Sequence, residues 1–156
     1  RLDLRYYSPE AGHVVRGNLA KGEIYYTNST HLNVSSATGP SERIAVEGNF
    51  HPIIEGEAVT NIWLGTETPA SGVLSDIVIK ALRYTQSSQI VFSPDFTTCG
   101  ECHRTSRGIN EDCSFCGSVD VDVIARITQY FSRVSDWNKG KLAELRDRNR
   151  NEAFLR

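Results

Sequence analysis

The chain has 156 residues, a formal net charge of −2, and 39% hydrophobic and 23% charged residues. That length fits one domain with a modest core, and the near-balanced charge argues against a broadly nucleic-acid-binding surface. No apolar run approaches the length of a bilayer span and no stretch reads as a signal peptide, so no membrane role is expected.

The opening Arg1-Leu2-Asp3-Leu4-Arg5 lacks an initiator methionine and the chain has no methionine at all, which reads as a piece of something longer. Residues 1–22 are polar and glycine-punctuated, with no clear period. Glu23-Ile24-Tyr25-Tyr26-Thr27 carries β-branched and aromatic residues and predicts a strand. It runs into Asn28-Ser29-Thr30-His31, four hydrogen-bonding side chains in a row, either a polar turn or the lip of a binding site. The sequons Asn28-Ser29-Thr30 and Asn33-Val34-Ser35 are read as fortuitous.

Gly39-Pro40, Gly48 and His51-Pro52 punctuate residues 35–58, which read as a loop with short extended pieces. Glu55 and Glu57 flank Gly56 as a solvated turn, and Asn61-Ile62-Trp63-Leu64 predicts a short buried strand. Leu74, Ile77, Val78, Ala81 and Leu82 recur at three- and four-residue steps and predict one face of a helix, with Pro69 and Ser71 as start signals. Gln89-Ile90-Val91-Phe92 predicts a strand ended by Ser93-Pro94. Strand, helix and strand together predict a βαβ unit of a parallel sheet and an α/β fold class.

All four cysteines lie in Cys99-Gly100-Glu101-Cys102 and Cys113-Ser114-Phe115-Cys116. Two thiolates three positions apart on a tight turn can share one metal ion, and a second pair completes a tetrahedron that suits zinc. Paired disulfides or a redox Cys-x-x-Cys are the other reading, but the surroundings are neither secretory nor thioredoxin-like. Four sulfurs close the shell, so such a zinc holds structure and does no chemistry. His103 follows a pair directly, as a substitute ligand or, more simply, an exposed loop histidine. Cysteines gathered at a metal site fit a reducing cytoplasm.

Downstream, Val119-Asp120-Val121-Asp122-Val123 alternates and predicts a half-exposed strand. Arg126 to Phe131 continues without a helical period. Asp136 or Asn138 is placed to cap a final helix through Leu142 and Leu145. From Trp137 onward, six basic residues face three acids, which reads first as a solvated helix face and second as a phosphate-binding surface.

The order Cys-x-x-Cys, Cys-x-x-Cys-Gly-Ser, Arg126-x-x-x-Tyr130 and Trp137-Asn138-x-Gly140-Lys141 resembles the C-terminal end of anaerobic (class III) ribonucleotide reductases, a glycyl radical enzyme family. The phrases Tyr25 to His31, Phe50-His51-Pro52 and Thr85-Gln86 through Phe92-Ser93-Pro94 are similar to its large subunit too. The likeness runs from about residue 20 to 150. It implies that residues 1–95 are the last strands and helix of a ten-stranded α/β barrel. Residues 96–124 would then be a zinc-ribbon segment, and 125–156 a glycyl-radical-type loop with a C-terminal helix.

The resemblance further implies radical reduction of ribonucleoside triphosphates to deoxyribonucleotides, in a homodimeric full subunit. The organic radical would be installed by a separate iron–sulfur, S-adenosylmethionine-dependent activase. Cys99, Cys102, Cys113 and Cys116 become the zinc ligands, residues 126–133 the radical loop, and Asn28, Ser29 and Thr30 substrate-binding residues. Two departures stand out. The family's Arg-x-x-Gly-Tyr pattern reads Arg126-Ile127-Thr128-Gln129-Tyr130 here, so Gln129 occupies the radical glycine's position. Glycine suits a planar, backbone-centred radical because it has no side chain to clash. Every cysteine is also committed to the metal, so a catalytic thiol must come from an N-terminal remainder of the subunit. Two other readings are a zinc-ribbon module that binds nucleic acid or protein, and a non-catalytic subunit that docks on an intact reductase.

Overall fold

The computed structural model describes residues 15–27, 31–65, 68–127 and 129–150. Val15–Asn18 (β1) and Glu23–Tyr26 (β2) form an antiparallel hairpin within a region the sequence left without a complete element. Gly17 makes it possible: its φ is +90°, and a Cβ there would lie 1.9 Å from the Glu23 carbonyl oxygen.

The stretch read as a loop over 35–58 instead holds helix α1 at Pro40–Gly48 and a 3₁₀ turn at His51–Ile53. Two physical facts hid α1. Gly39-Pro40 looks like a break, yet proline is well placed in the first turn of a helix, where its missing N–H costs nothing. The buried face of α1 also carries Arg43 and Glu47 beside Ile44, so charge masks its period. Glu55 and Glu57 are exposed, as a solvated turn requires.

Thr60–Gly65 (β3), Ser71–Tyr84 (α2) and Ile90–Pro94 (β4) form the expected βαβ unit, with β3 and β4 parallel. Strand β4 runs through Ser93-Pro94 rather than ending before it. The register slips between Trp63 and Gly65, and Pro94 pairs at that irregular end. Ile44, Ile62, Leu64 and Ala81 form the buried core of this unit, with Ile77, Ile90 and Phe92 packed against it. Leu82 is not on the buried face: it is 65% exposed.

Phe96–Cys99 (β5), Thr105–Arg107 (β6), Val121–Arg126 (β7) and Phe131–Arg133 (β8) form an antiparallel sheet ordered β6-β5-β7-β8. Strand β7 starts two residues later than the alternation at 119–123 predicted, because pairing begins at the rung Cys99↔Val121. It also extends through Arg126 and pairs with β8 as a β-hairpin whose last rung is Arg126↔Phe131.

After a 3₁₀ turn at Val134–Asp136, helix α3 spans Lys139–Asp147. Of the two candidate caps, Asn138 does the work, its side chain accepting from the Lys141 N–H at 2.9 Å. The solvated-face reading of this segment fails for Glu144 and Arg148, which are 5% and 4% exposed and paired at 3.0 Å. The helix lies on β2 and β3 through Tyr25, Val34, Trp63 and Ala143, and on β7 through Ala125, Trp137 and Leu145. Among the described residues, no helix is long and apolar enough to cross a membrane.

Candidate functional site

The two cysteine pairs sit on turns built alike. Cys99 ends β5, its N–H bonded to the Arg104 carbonyl at 3.0 Å, and the Cys102 N–H donates to Cys99 Sγ at 3.4 Å. In the second turn the Phe115 N–H donates to Cys113 Sγ at 3.4 Å, and the Gly117 N–H to the Cys113 carbonyl at 2.8 Å. The residue after each pair adopts a left-handed backbone: His103 at φ 56° and Gly117 at φ 74°. This gives His103 a conformational role, and its side chain is exposed.

The four ligand sulfurs lie within 4.8 Å of one another. Cys99 to Cys116 is 3.7 Å and Cys102 to Cys113 is 3.6 Å. A disulfide needs about 2 Å between its sulfurs, and all four cysteines are free. A tetrahedron with metal–sulfur bonds of about 2.3 Å has edges of about 3.8 Å. The group therefore fits a metal such as zinc. Without a cation, crowded thiols resist joint ionisation. Backbone N–H groups of Phe115 and Cys116, with neighbouring thiols, draw Cys113 down to about 6. At Cys116 the Ser118 N–H favours the thiolate, but burial and the three other sulfurs prevail and push it up to about 12. A divalent cation removes that conflict.

The hairpin closed by Arg126 and Phe131 presents Gln129 at its exposed end. The Ile127 N–H donates to the Tyr130 carbonyl at 2.9 Å. The Gln129 side-chain amide donates to the Glu57 carboxylate. Asn28, Ser29 and Thr30 lie outside the described residues. Their neighbours Thr27 and His31 line a cavity of about 30 Å³ that Asn61, Trp63, Ile127 and Glu144 also line. The end of β2 thus meets the root of the hairpin end two residues from Gln129.

Buried charge braces this junction, which sequence reasoning missed although both ion pairs are spaced i, i+4. Glu47 accepts from Arg43 at 3.0 Å and the Leu32 N–H at 2.9 Å, and lies 3.1 Å from His31 Nδ1. Burial alone would raise its carboxyl; His31, the Leu32 N–H and Arg43 outweigh that and hold it below its usual range. Arg43 and Arg148 lie over the Trp63 ring, at 5.5 and 5.3 Å from its centroid.

A family model described as anaerobic ribonucleoside-triphosphate reductase matches residues 1–150. The chain belongs to this reductase family. Among solved structures, one described as anaerobic ribonucleotide reductase has 24% identity and a TM-score of 0.59, the match covering 76% of this chain and 19% of that one. The anaerobic ribonucleotide reductase from Thermotoga maritima in complex with dATP and CTP has 24% identity and a TM-score of 0.51, covering 72% of this chain and 18% of that one. At this identity the likeness concerns the fold, and the chain spans less than a fifth of either structure's length. No curated protein matches.

Proposed function

We propose that the chain is the C-terminal region of the catalytic subunit of an anaerobic ribonucleotide reductase. The family match over residues 1–150 carries this reading. A four-sulfur group at one end of β7, and the end of β2 beside the root of the hairpin at its other end, support it. Residues 1–95 contribute the closing portion of a ten-stranded α/β barrel. Residues 96–124 form the metal-bearing ribbon, and 125–156 the radical-type loop and final helix. The β3–α2–β4 unit is consistent with the barrel assignment, since a lone parallel pair has two open edges that need neighbouring strands.

In this reading Cys99, Cys102, Cys113 and Cys116 hold a structural zinc that fixes the ribbon beside β7. Asn28, Ser29 and Thr30 contact a ribonucleoside triphosphate. The N-terminal remainder of the subunit supplies the catalytic thiol, and the subunit is a cytoplasmic homodimer. In active relatives the activase-generated radical at the loop glycine supplies the one-electron chemistry of ribose reduction. Here the residue is Gln129, whose Cα bears one hydrogen and a side chain. We infer that Gln129 silences the radical position while leaving the loop in place.

The test is CTP reduction by the full subunit with its activase, as the Gln129 and Gln129→Gly forms. Deoxycytidine product from the glycine form alone is expected. Turnover by the glutamine form would overturn the assignment of residue 129.

A further inference from the structure

The geometry points to Arg148 and Trp137 as positioning residues that clamp the two arms of the hairpin carrying residue 129. This rests on the proposed role of that position. On one arm, Arg148 Nη2 donates to the Arg126 carbonyl at 2.9 Å and to Glu144 Oε1 at 3.0 Å. On the other, Trp137 Nε1 donates to Ser132 Oγ at 2.6 Å. The gripped residues are adjacent in the ladder, where Arg126 pairs Phe131 and Ala125 pairs Ser132.

The two gripping groups also hold each other. The Arg148 guanidinium lies 5.6 Å from the Trp137 ring centroid and 5.3 Å from that of Trp63 on β3. A buried arginine needs a carboxylate, and Glu144 supplies it; the bond to the Arg126 carbonyl is additional. It aims the cation at the last backbone group before the hairpin end, whose own N–H to C=O closure is Ile127 to Tyr130.

The base of the clamp is fixed to the body of the protein. The Asn149 N–H donates to the Val34 carbonyl at 2.7 Å, and its Nδ2 to the Ser36 carbonyl at 2.7 Å. Asp147 accepts from the Tyr25 hydroxyl at 2.7 Å. Helix α3 therefore cannot slide without breaking bonds to β2 and to the segment before α1. The clamp transmits that fixed position to the Ile127–Tyr130 closure, so it sets where residue 129 is presented.

Two conservative variants separate the clamp from general stability. Arg148→Lys keeps the charge but ends one atom short of Nη2, which makes both bonds, and loses the planar guanidinium that lies on the tryptophan rings. Trp137→Phe keeps an aromatic ring and removes the indole donor to Ser132 together with the second ring. Amide exchange is measured on the complete protein that carries this sequence. Each variant is expected to speed exchange of the Ile127 amide about ten-fold, leaving the β5–β7 amides and bound metal unchanged. In a Gln129→Gly background, each lowers the radical yield per activase turnover.

A uniform rise in exchange, or none in Trp137→Phe, would overturn the clamp. A selective rise supports it even where the Gln129→Gly parent forms no radical, a result that would instead overturn the reading of position 129.

Discussion

Gly140→Ala sets two effects against each other. Gly140 is the second residue of α3, where alanine gains up to about 1 kcal/mol of helix propensity. An alanine Cβ, however, would lie 2.0 Å from the Ile24 carbonyl oxygen and 3.0 Å from its carbon. These are backbone atoms of a paired strand and cannot swing aside. Side-chain Cβ atoms essentially never come closer than 3.0 Å, so α3 must retreat from β2 by about 1 Å. Overpacking of this kind costs about 1–3 kcal/mol. The retreat also stretches the Tyr25–Asp147 and Arg148–Arg126 bonds, each worth about 1 kcal/mol. The net is a loss of about 2–3 kcal/mol, or a fall in Tm of about 5–10 °C for a domain this size.

Gly72 is the matched control. It is the second residue of α2, and a Cβ there meets nothing within 4 Å. Gly72→Ala should leave Tm unchanged or raise it by up to about 3 °C. Thermal melts of the two variants beside the parent decide the matter. If Gly140→Ala behaves like Gly72→Ala, the close approach of α3 to β2 is wrong.

Three further outcomes are expected. The protein should bind one zinc per chain and keep its four thiols unreactive until a strong chelator is added; thiols that titrate freely with zinc bound would contradict the four-sulfur site. Burial lowers the His51 pKa, the neutral ring being held by the Ser88 N–H at 3.0 Å. Its contribution is therefore present above the unfolded value of 6.5 and lost as pH falls below it. Denaturant midpoints should decline over that range, and His51→Gln should remove this part of the slope. Glu47→Ala leaves Arg43 1% exposed and without its carboxylate, at a cost of about 3–5 kcal/mol by denaturant titration; a cost under about 1 kcal/mol would contradict the buried pair. Because the folded Glu47 carboxyl is held down, its contribution holds above 4.5 and fades as pH falls below that.

The parts legible in the sequence are those whose signal is local. The cysteine spacing encodes the turns that gather four sulfurs, and the apolar period around Ile77 and Ala81 encodes α2. Helix α1 was hidden because its inner face binds the Leu32 and Asn33 carbonyls through Arg43, at 3.2 and 3.0 Å, where an apolar residue would mark a period. The final helix was visible, but its charges were read by number and not by partner. Glu144 and Arg148 face inward because Trp63 and Trp137 offer ring faces to the cation. Arg148 meets the Arg126 carbonyl across 22 residues, and no local pattern carries such a contact. The same holds for Gly140, whose need for a missing Cβ arises from Ile24 on another element. Trp137-Asn138-x-Gly140-Lys141 is thus a motif with separable physical jobs: a donor to the hairpin, a helix cap, a close approach, and a cation 2.6 Å from Glu144.

The most direct test of the assignment is an anaerobic activation experiment read by electron paramagnetic resonance. The full catalytic subunit is incubated with the activase in its Gln129 and Gln129→Gly forms, with zinc content measured on both. The account predicts a glycyl-type doublet in the glycine form and none in the glutamine form. A radical in both would place the radical site elsewhere, and silence in both with zinc bound would contradict the radical-loop reading of residues 126–133.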